Sequence, residues 1–318
     1  MKRSLTQALL LCAALSWLIE PAHGEETEAQ VRAHLDGMAH IPGGWFTMGD
    51  ANDGDPWEDA PQVRVFVSGF FLARTPVSWD LWNEVRDWAL QHGYTDLARG
   101  RRKEERYPVT EISWWDAVKW LNARSEREGL APVYRNADGT VFRAGTEAPT
   151  PDWTADGYRL PTEAEWEKAA RGGVAGQRFP WGNEITHREA NFTICSGHEF
   201  DSMIRRRGQH PAFSRSAGPP TSPAGSFAPN RFGIHDMAGN VWEWTWDWNS
   251  DTSYTDGARD PKGASTGTAR VLRGGSWRSG AFFNRTAYRN RIPPANRRNN
   301  IGFRAARGAV HGAEAIQE

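Results

Sequence analysis

Apolar residues at every second position predict two of the strands in this chain. The alternating residues are Val63, Val65 and Val67 in one segment, and Trp242, Trp244, Trp246 and Trp248 in the other. In an extended chain this spacing places the repeated side chains on one face. The pattern therefore predicts a strand over residues 62–67 and a second strand over 242–248 that carries its tryptophans on one face.

Three other segments have apolar residues at helical spacing, each behind a residue that can cap a helix. The capping residues are Ser78, Ser113 with Asp116, and Thr162 with Glu165. A serine or threonine followed three positions later by an acidic residue is the capping-box pattern, which is complete at Thr162 and nearly so at Ser113. Glycine follows the first helix at position 93 and the third at 172–173.

The two ends of the chain carry patterns of their own. Residues 1–24 combine Lys2 and Arg3 with an apolar run and a small-residue exit, which is typical of a cleaved secretory signal peptide. The apolar run is too short and too interrupted for a membrane span, so the mature protein is predicted to be periplasmic and to lack one. Residues 25–39 are predicted to form an N-terminal helix or tail, and 311–318 a C-terminal tail.

Charge and cysteine content exclude several classes of protein. The chain has 38 basic and 39 acidic residues, so no nucleic-acid surface is predicted. Cleavage of the signal peptide removes Cys12 and leaves Cys195, which excludes an intramolecular disulfide and a four-cysteine zinc site. The full sequence has 17 Trp, 32 Gly and 19 Pro, so the chain is predicted to be rich in turns and packed through tryptophan.

The tryptophan segment also carries oxygen-bearing side chains. Asp236 and Asn240 precede the strand, Glu243 and Asp247 lie within it, and Gly239 provides a flexible corner. Hard oxygen ligands on a glycine-containing turn suit Ca²⁺. A carboxylate among indoles is costly to bury without a partner, and a cation would supply that partner. The alternative is a core strand with an ordinary turn before it.

Seven motifs, in this order, resemble the formylglycine-generating-enzyme-like (sulfatase-modifying factor) family. They lie at 41–49 (IPGGWFTMG), 108–117 (PVTEISWWDA), 158–172 (YRLPTEAEWEKAARG), 179–183 (FPWGN), 233–248, 271–277 (VLRGGSW) and 300–304 (NIGFR). The resemblance implies one α+β domain, which we place at residues 40–310. It also implies the formylglycine-generating-enzyme fold, with a C-type-lectin-like core and little regular secondary structure.

The resemblance places two copper-binding cysteines shortly after the Arg-Gly-Gly-Ser turn. Ser279 and Asn284 stand at those positions, and Cys195 lies far upstream. Cu(I) prefers soft thiolate ligands, which a hydroxyl and an amide do not replace. The sequence therefore argues against formylglycine-generating activity.

The family's pattern also implies two Ca²⁺ sites. The first would use the side chains of Asp236 and Glu243 and the main-chain carbonyls of Gly239 and Val241. The second would begin with Asn191 and Phe192. Its later ligands should lie just before residues 221–223, where the sequence has no carboxylate.

Two exported branches of the family lack the copper-site cysteines. TagR-like members regulate kinase-controlled type VI secretion, and PvdO-like members take part in siderophore maturation. We expect the first role: a Ca²⁺-binding, catalytically degenerate protein whose partner is a periplasmic protein or a receptor or kinase ectodomain. The alternative is a PvdO-like oxidative maturation enzyme. The His-x-x-x-His-x-Glu motif of an iron-dependent branch is absent.

Arginines next to the former copper position are candidates for binding that partner. Arg285, Arg289 and Arg291 lie just after Asn284. Guanidinium groups in a cleft suit an acidic peptide or an extended protein segment. The alternative is that they are structural and tie loops to carboxylates and carbonyls.

Overall fold

The computed structural model describes residues 35–50, 62–101, 103–194, 208–215, 218–250 and 254–308. The predicted signal peptide, residues 25–34 of the predicted N-terminal helix or tail, Cys195 and the tail at 311–318 lie outside these ranges. The prediction for 25–39 is wrong at its end, because Met38 and Ala39 begin a strand. None of the helices within them combines the length and the apolar character needed to span a bilayer.

Short strands and three α-helices make up the regular structure of these ranges. The strands are β1 (Met38–Ile41), β2 (Gly44–Met48), β3 (Val63–Val67), β4 (Phe70–Ala73), β5 (Tyr134–Arg135), β6 (Thr150–Pro151), β7 (Trp242–Trp248), β8 (Arg270–Arg273), β9 (Asn290–Ile292), β10 (Ile301–Gly302) and β11 (Ala306–Gly308). The α-helices are α1 (Trp79–Gln91), α2 (Trp114–Arg127) and α3 (Glu163–Arg171), and Ala281–Asn284 forms a 3₁₀-helix. This content confirms the predicted α+β fold with little regular secondary structure.

The C-terminal strands complete both of the larger sheets. The strand orders are β1-β4-β11 and β10-β7-β8-β9, and β2-β3 and β5-β6 form separate antiparallel pairs. In the first sheet Ala306 of β11 is paired with Leu72 of β4. In the second, Ile301 of β10 runs parallel to β7 beside Trp242. Segments far apart in sequence therefore meet in each sheet.

The two alternating segments form strands as predicted. Val63, Val65 and Val67 of β3 point into the core, which α3 covers with Trp166. Strand β7 differs from an ordinary amphipathic strand, because its polar face is also buried. Glu243 is 1% exposed, and Thr245 and Asp247 are fully buried. A central strand covered on both faces must satisfy its polar side chains within the protein.

The predicted helix starts are correct, with one difference in detail. Ser113 with Asp116, and Thr162 with Glu165, both form reciprocal capping boxes. Ser78 has the extended backbone of a capping residue, but its side chain makes no cap hydrogen bond. At the end of α3, the left-handed conformation (φ 57°) falls on Gly172, where a glycine was predicted to stop the helix.

Candidate functional site

The two positions at which copper-binding cysteines were expected lie side by side around the 3₁₀-helix. Asn284 Nδ2 donates to the carbonyl oxygens of Ser279 and Gly280 at 3.3 and 2.6 Å. The hydroxyl oxygen of Ser279 lies 3.0 Å from that of Ser276. Ser276 Oγ in turn accepts a hydrogen bond from Asn300 Nδ2 at 3.1 Å. We call Ser276, Ser279, Asn284 and Asn300 the polar centre.

The polar centre is closely packed and does not fit copper. Asn284 is fully buried, and a Cβ atom on Gly275 would lie 2.1 Å from Asn284 Oδ1. The turn backbone therefore touches this amide directly. The donor atoms present are hydroxyl and amide groups, which are poor ligands for Cu(I). Phe282, Tyr288 and Trp242 pack in a chain beside it, with ring centroids 5.5 and 5.9 Å apart.

Two of the three arginines proposed to bind a partner are buried, so that prediction is wrong for them. Arg285 is fully buried; its guanidinium lies 4.0 Å above the ring of Phe282 and its Nε donates to the Phe282 carbonyl. Arg289 donates to both carboxylate oxygens of Glu163, at 2.7 and 2.9 Å. Only Arg291, on β9, has an exposed side chain. The structural alternative is correct for Arg285 and Arg289.

Glu243 has a protein cation as its partner, which corrects the argument that a metal ion must balance it. Its two carboxylate oxygens each accept a hydrogen bond from Arg304 at 2.7 Å. One of them also accepts from the indole of Trp166 at 2.8 Å. Both Glu243 and Arg304 are buried. This bidentate, charge-assisted pair satisfies the carboxylate without Ca²⁺.

Asp236 differs from Glu243 because one of its oxygens has no partner. Its backbone is left-handed (φ 56°), and its Oδ2 accepts a hydrogen bond from the Gly225 amide at 2.7 Å. Its Oδ1 is buried and has no hydrogen-bond partner among the described residues. Burial raises the pKa of Asp236 to about 6. An unpaired buried carboxylate oxygen is the type of ligand that a hard cation prefers.

Asn191 and Phe192, proposed as ligands of the second Ca²⁺ site, lie beside the Asp236 turn. The Asn191 carbonyl accepts from the Asn240 amide at 2.8 Å, and a Cβ on Gly239 would lie 2.4 Å from that carbonyl oxygen. Asn191 Oδ1 is buried and unpaired among the described residues, whereas the Phe192 carbonyl lies 3.0 Å from His187 Nε2.

The fit to Ca²⁺ is therefore partial. Val241 is buried within the same turn. No group of three or more His, Cys, Asp or Glu residues in the described ranges is arranged to hold a metal ion. A Ca²⁺ ion at the first site would depend on Asp236 and the main-chain carbonyls of Gly239 and Val241, and one at the second site on the Asn191 amide. Glu243 does not fit while Arg304 occupies its oxygens.

A buried acidic network crosses from α3 to β7, and sequence reasoning missed it. The Tyr254 hydroxyl lies 2.6 Å from Glu163 Oε2 and 2.8 Å from Asp247 Oδ1. The Glu163 amide donates to Asp247 Oδ2 at 2.6 Å. A hydroxyl has one proton, so Tyr254 donates to only one of these carboxyls. Burial and the nearby Glu163 raise the pKa of Asp247 to about 7, and a protonated Asp247 can then donate to Tyr254.

The chain is similar in sequence to a protein family and to individual known proteins. A family model described as "Sulfatase-modifying factor enzyme 1-like domain" matches residues 23–309. The formylglycine-generating enzyme of Streptomyces coelicolor is 33% identical over 291 residues, covering 86% of this chain and 90% of that protein. The serine/threonine-protein kinase pkn1 of Chlamydia pneumoniae is 40% identical over 289 residues, covering 89% of this chain but only 40% of the kinase.

A solved structure shows the same architecture. PvdO from Pseudomonas aeruginosa superimposes with a TM-score of 0.61 and 27% identity, covering 86% of this chain and 94% of that one. The similarity extends over nearly the whole of PvdO, so it concerns the domain and not a single motif.

Proposed function

The chain belongs to the sulfatase-modifying factor enzyme 1-like domain family, and we propose that within it this protein is a binding and regulatory domain without formylglycine-generating activity. The observation that carries the proposal is the polar centre. Ser279 and Asn284 stand where the resemblance places copper ligands, and their side chains make hydrogen bonds to neighbouring polar groups. A hydroxyl and an amide do not provide the thiolate pair that Cu(I) prefers.

The similarity to kinases supports a role in kinase-controlled signalling. The chain is 40% identical to part of the Chlamydia pneumoniae kinase and 33% identical to the Streptomyces coelicolor enzyme. We propose that this protein is exported to the periplasm and binds a periplasmic protein or a receptor or kinase ectodomain. We place it in the regulation of a type VI secretion pathway. Arg291 is the remaining arginine candidate for that contact, because it alone of the three is exposed.

A second candidate function is oxidative maturation of a siderophore. The structural similarity to PvdO favours it, with a TM-score of 0.61 over 86% of this chain. In that case the polar centre, with its neighbouring aromatic side chains, would position a substrate. Net oxidation of that substrate would need an external oxidant.

The two candidates predict different partners in an affinity-capture experiment. The mature chain is immobilised and incubated with a periplasmic extract of the organism that encodes it. Retained proteins are identified by mass spectrometry. Enrichment of a protein kinase, or of a protein that controls one, supports the regulatory proposal. Enrichment of siderophore-synthesis proteins supports the second candidate. Enrichment of neither class contradicts both.

We expect no Cu(I) binding and no formylglycine formation on a sulfatase-motif peptide. The matched control is the double variant Ser279→Cys with Asn284→Cys, which restores two thiols around the 3₁₀-helix. Because thiolates bind Cu(I) tightly, the double variant should gain stoichiometric copper, measured by competition with a colorimetric chelator. Copper binding or peptide turnover by the wild type would contradict the proposed loss of activity.

We also propose that Ca²⁺ binds at the Asp236 turn, with the free Oδ1 of Asp236 as its carboxylate ligand. The main-chain carbonyls of Gly239 and Val241 complete this first site. A second Ca²⁺ site would use the Asn191 amide oxygen and the neighbouring Phe192. The unpaired buried oxygens of Asp236 and Asn191 support the proposal. Glu243 remains with Arg304 and is left out of the ligand set.

Chelation is expected to lower the melting temperature of the wild type. A ligand that binds only the folded state stabilises it by about 2.7 kcal/mol at one hundred times its dissociation constant. The variant Asp236→Asn should lose most of the difference between melts with Ca²⁺ and with chelator. Gly225 donates to Asp236 Oδ2, and an asparagine oxygen can still accept that bond, so the fold should survive. A wild type whose melt does not respond to chelator has no stabilising Ca²⁺ site.

A further inference from the structure

A pocket of about 460 Å³ lies at the C-terminal end of β7, away from the polar centre. Its wall includes Thr150, Pro151, Trp248, Lys262, Ser265 and Arg270. The polar centre lies near Trp242, at the other end of the strand. Six residue steps of about 3.3 Å separate the two ends, so the distance along β7 is about 20 Å. The pocket is therefore a separate feature of the molecule.

Arg270 lies in the wall of this pocket, between two indole rings. Its guanidinium carbon is 3.5 Å from the ring centroid of Trp248 and 3.7 Å from that of Trp114. One Nη donates to the Trp246 carbonyl, and Nε has no hydrogen-bond partner among the described residues. The residue is 1% exposed. Packing against the rings fixes the plane of the guanidinium and leaves part of its donor capacity unused.

The positive charge at this pocket is not balanced by a direct ion pair. Within the described ranges no carboxylate hydrogen-bonds to Arg270, and Asp247 acts on it only through space. Burial lowers the pKa of Arg270 to about 9. Lys262, on the exposed rim, lies 4.4 Å above the ring of Trp153; burial lowers its pKa, and the nearby carboxylate of Asp260 opposes that shift. A desolvated cation without a counter-ion is destabilising, and an anion in the pocket would offset that cost.

The other wall residues favour an organic anion over an inorganic one. Pro149, Pro151 and Ala264 give the pocket apolar surface, and Thr150 and Ser265 place hydroxyl groups at its exposed edge. Ligand pockets typically combine mostly apolar walls with a few polar groups that fix orientation. The volume is sufficient for a group the size of an amino acid or a short peptide segment.

We propose that this pocket binds a carboxylate-bearing ligand. The carboxylate pairs with the guanidinium of Arg270 and the ammonium of Lys262, and its aliphatic part packs on Trp248 and Pro151. A planar guanidinium matches carboxylate geometry through parallel N–H donors. The carboxylate can belong to a free acid or to an acidic side chain of a protein partner. In the second case the inference extends the proposed function, although it does not depend on it.

The experiment titrates the mature chain with three probes by calorimetry and tryptophan fluorescence. The probes are glutarate, the blocked peptide acetyl-Ala-Glu-Ala-amide, and inorganic phosphate. If glutarate binds saturably and the peptide binds equally or more weakly, the ligand of the pocket is a free acid. If the peptide binds more tightly than glutarate, the ligand is an acidic side chain of a protein segment. Phosphate should bind at least about tenfold more weakly than the better carboxylate. Equal binding of phosphate, or no saturable binding of either carboxylate, overturns the proposal.

Three variants locate the binding. Arg270→Lys keeps the positive charge but removes the parallel N–H donors of the guanidinium. We expect the affinity for the carboxylate to fall about tenfold, as for loss of a charged hydrogen bond. Lys262→Gln removes an exposed cation and should weaken binding about threefold without affecting the fold. Arg188→Gln makes the same charge change on an exposed residue outside the pocket and should leave affinity unchanged. If Arg270→Lys does not fold, the test is the difference in carboxylate affinity between Lys262→Gln and Arg188→Gln. Equal affinities in those two variants contradict the assignment.

Discussion

The variant Glu243→Gln is expected to lose about 3–5 kcal/mol of unfolding free energy, the cost of removing one member of a buried ion pair. Arg304 would remain as a buried cation whose Nε and Nη2 donors face an uncharged amide. These two donors now reach Glu243 at 2.7 Å each. The indole of Trp166 would lose its charged acceptor as well. Equilibrium urea unfolding, followed by tryptophan fluorescence, measures the change.

A second ion pair in the same protein provides the control for Glu243→Gln. Glu84 of α1 pairs with Arg127 of α2, with side chains 59% and 30% exposed. Glu84→Gln should cost less than about 1 kcal/mol, because solvent-exposed pairs contribute little. The loss in Glu243→Gln should be the same with Ca²⁺ and with chelator. A loss that disappears in chelator would show that Glu243 acts through a metal ion, against the pairing described above.

Stability is expected to fall as the pH rises from about 4 to about 7, through the titration of Asp247. Its pKa is raised from 3.8 to about 7, so in this range the folded protein holds a proton that the unfolded chain has released. The folded state is therefore favoured at the acidic end, and this contribution is lost as pH passes the folded pKa. The slope approaches about 1.4 kcal/mol per pH unit inside the window.

The variant Asp247→Asn isolates this contribution, because asparagine does not titrate. Relative to wild type, it should become more stable as pH rises from 5 to 7.5. Asp236 titrates in both proteins and largely cancels in the difference. Arg289 and Arg273 outweigh burial and lower the pKa of Glu163, so Glu163 is ionised in this range. Asp138→Asn is the control: hydrogen bonds from Thr140 lower the pKa of Asp138, so it is ionised throughout this range. Parallel stability curves for wild type and Asp247→Asn would show that Asp247 is ionised when buried.

Features set by neighbouring residues could be predicted from the sequence. The capping boxes at Ser113 and Thr162 depend on a residue three positions away, and both were predicted correctly. The strand at 242–248 followed from its alternating tryptophans. The adjacency of Ser279 and Asn284 came from the family pattern, since neither residue has a local signal that marks it as part of a site.

Partners far apart in sequence could not be predicted in this way. Arg304 lies 61 positions from Glu243, and Arg289 lies 126 positions from Glu163. Nothing near either carboxylate indicates which of the chain's arginines will reach it. For this reason a calcium ion was expected beside Glu243 where a guanidinium is found, and Arg289 was a candidate for binding a partner although its side chain is buried against Glu163.

The pairing of β11 with β4 has a consequence for the order in which this protein folds. Arg304 also donates to the carbonyl of Ala73, across 231 positions of sequence. The β1-β4-β11 sheet therefore cannot be completed until residues near 306 have left the ribosome. Contacts of such long range slow folding, because the loop between the strands must be ordered before the pairing stabilises it. The chain therefore cannot complete its native fold until residue 308 has been synthesised, which is compatible with the export proposed above.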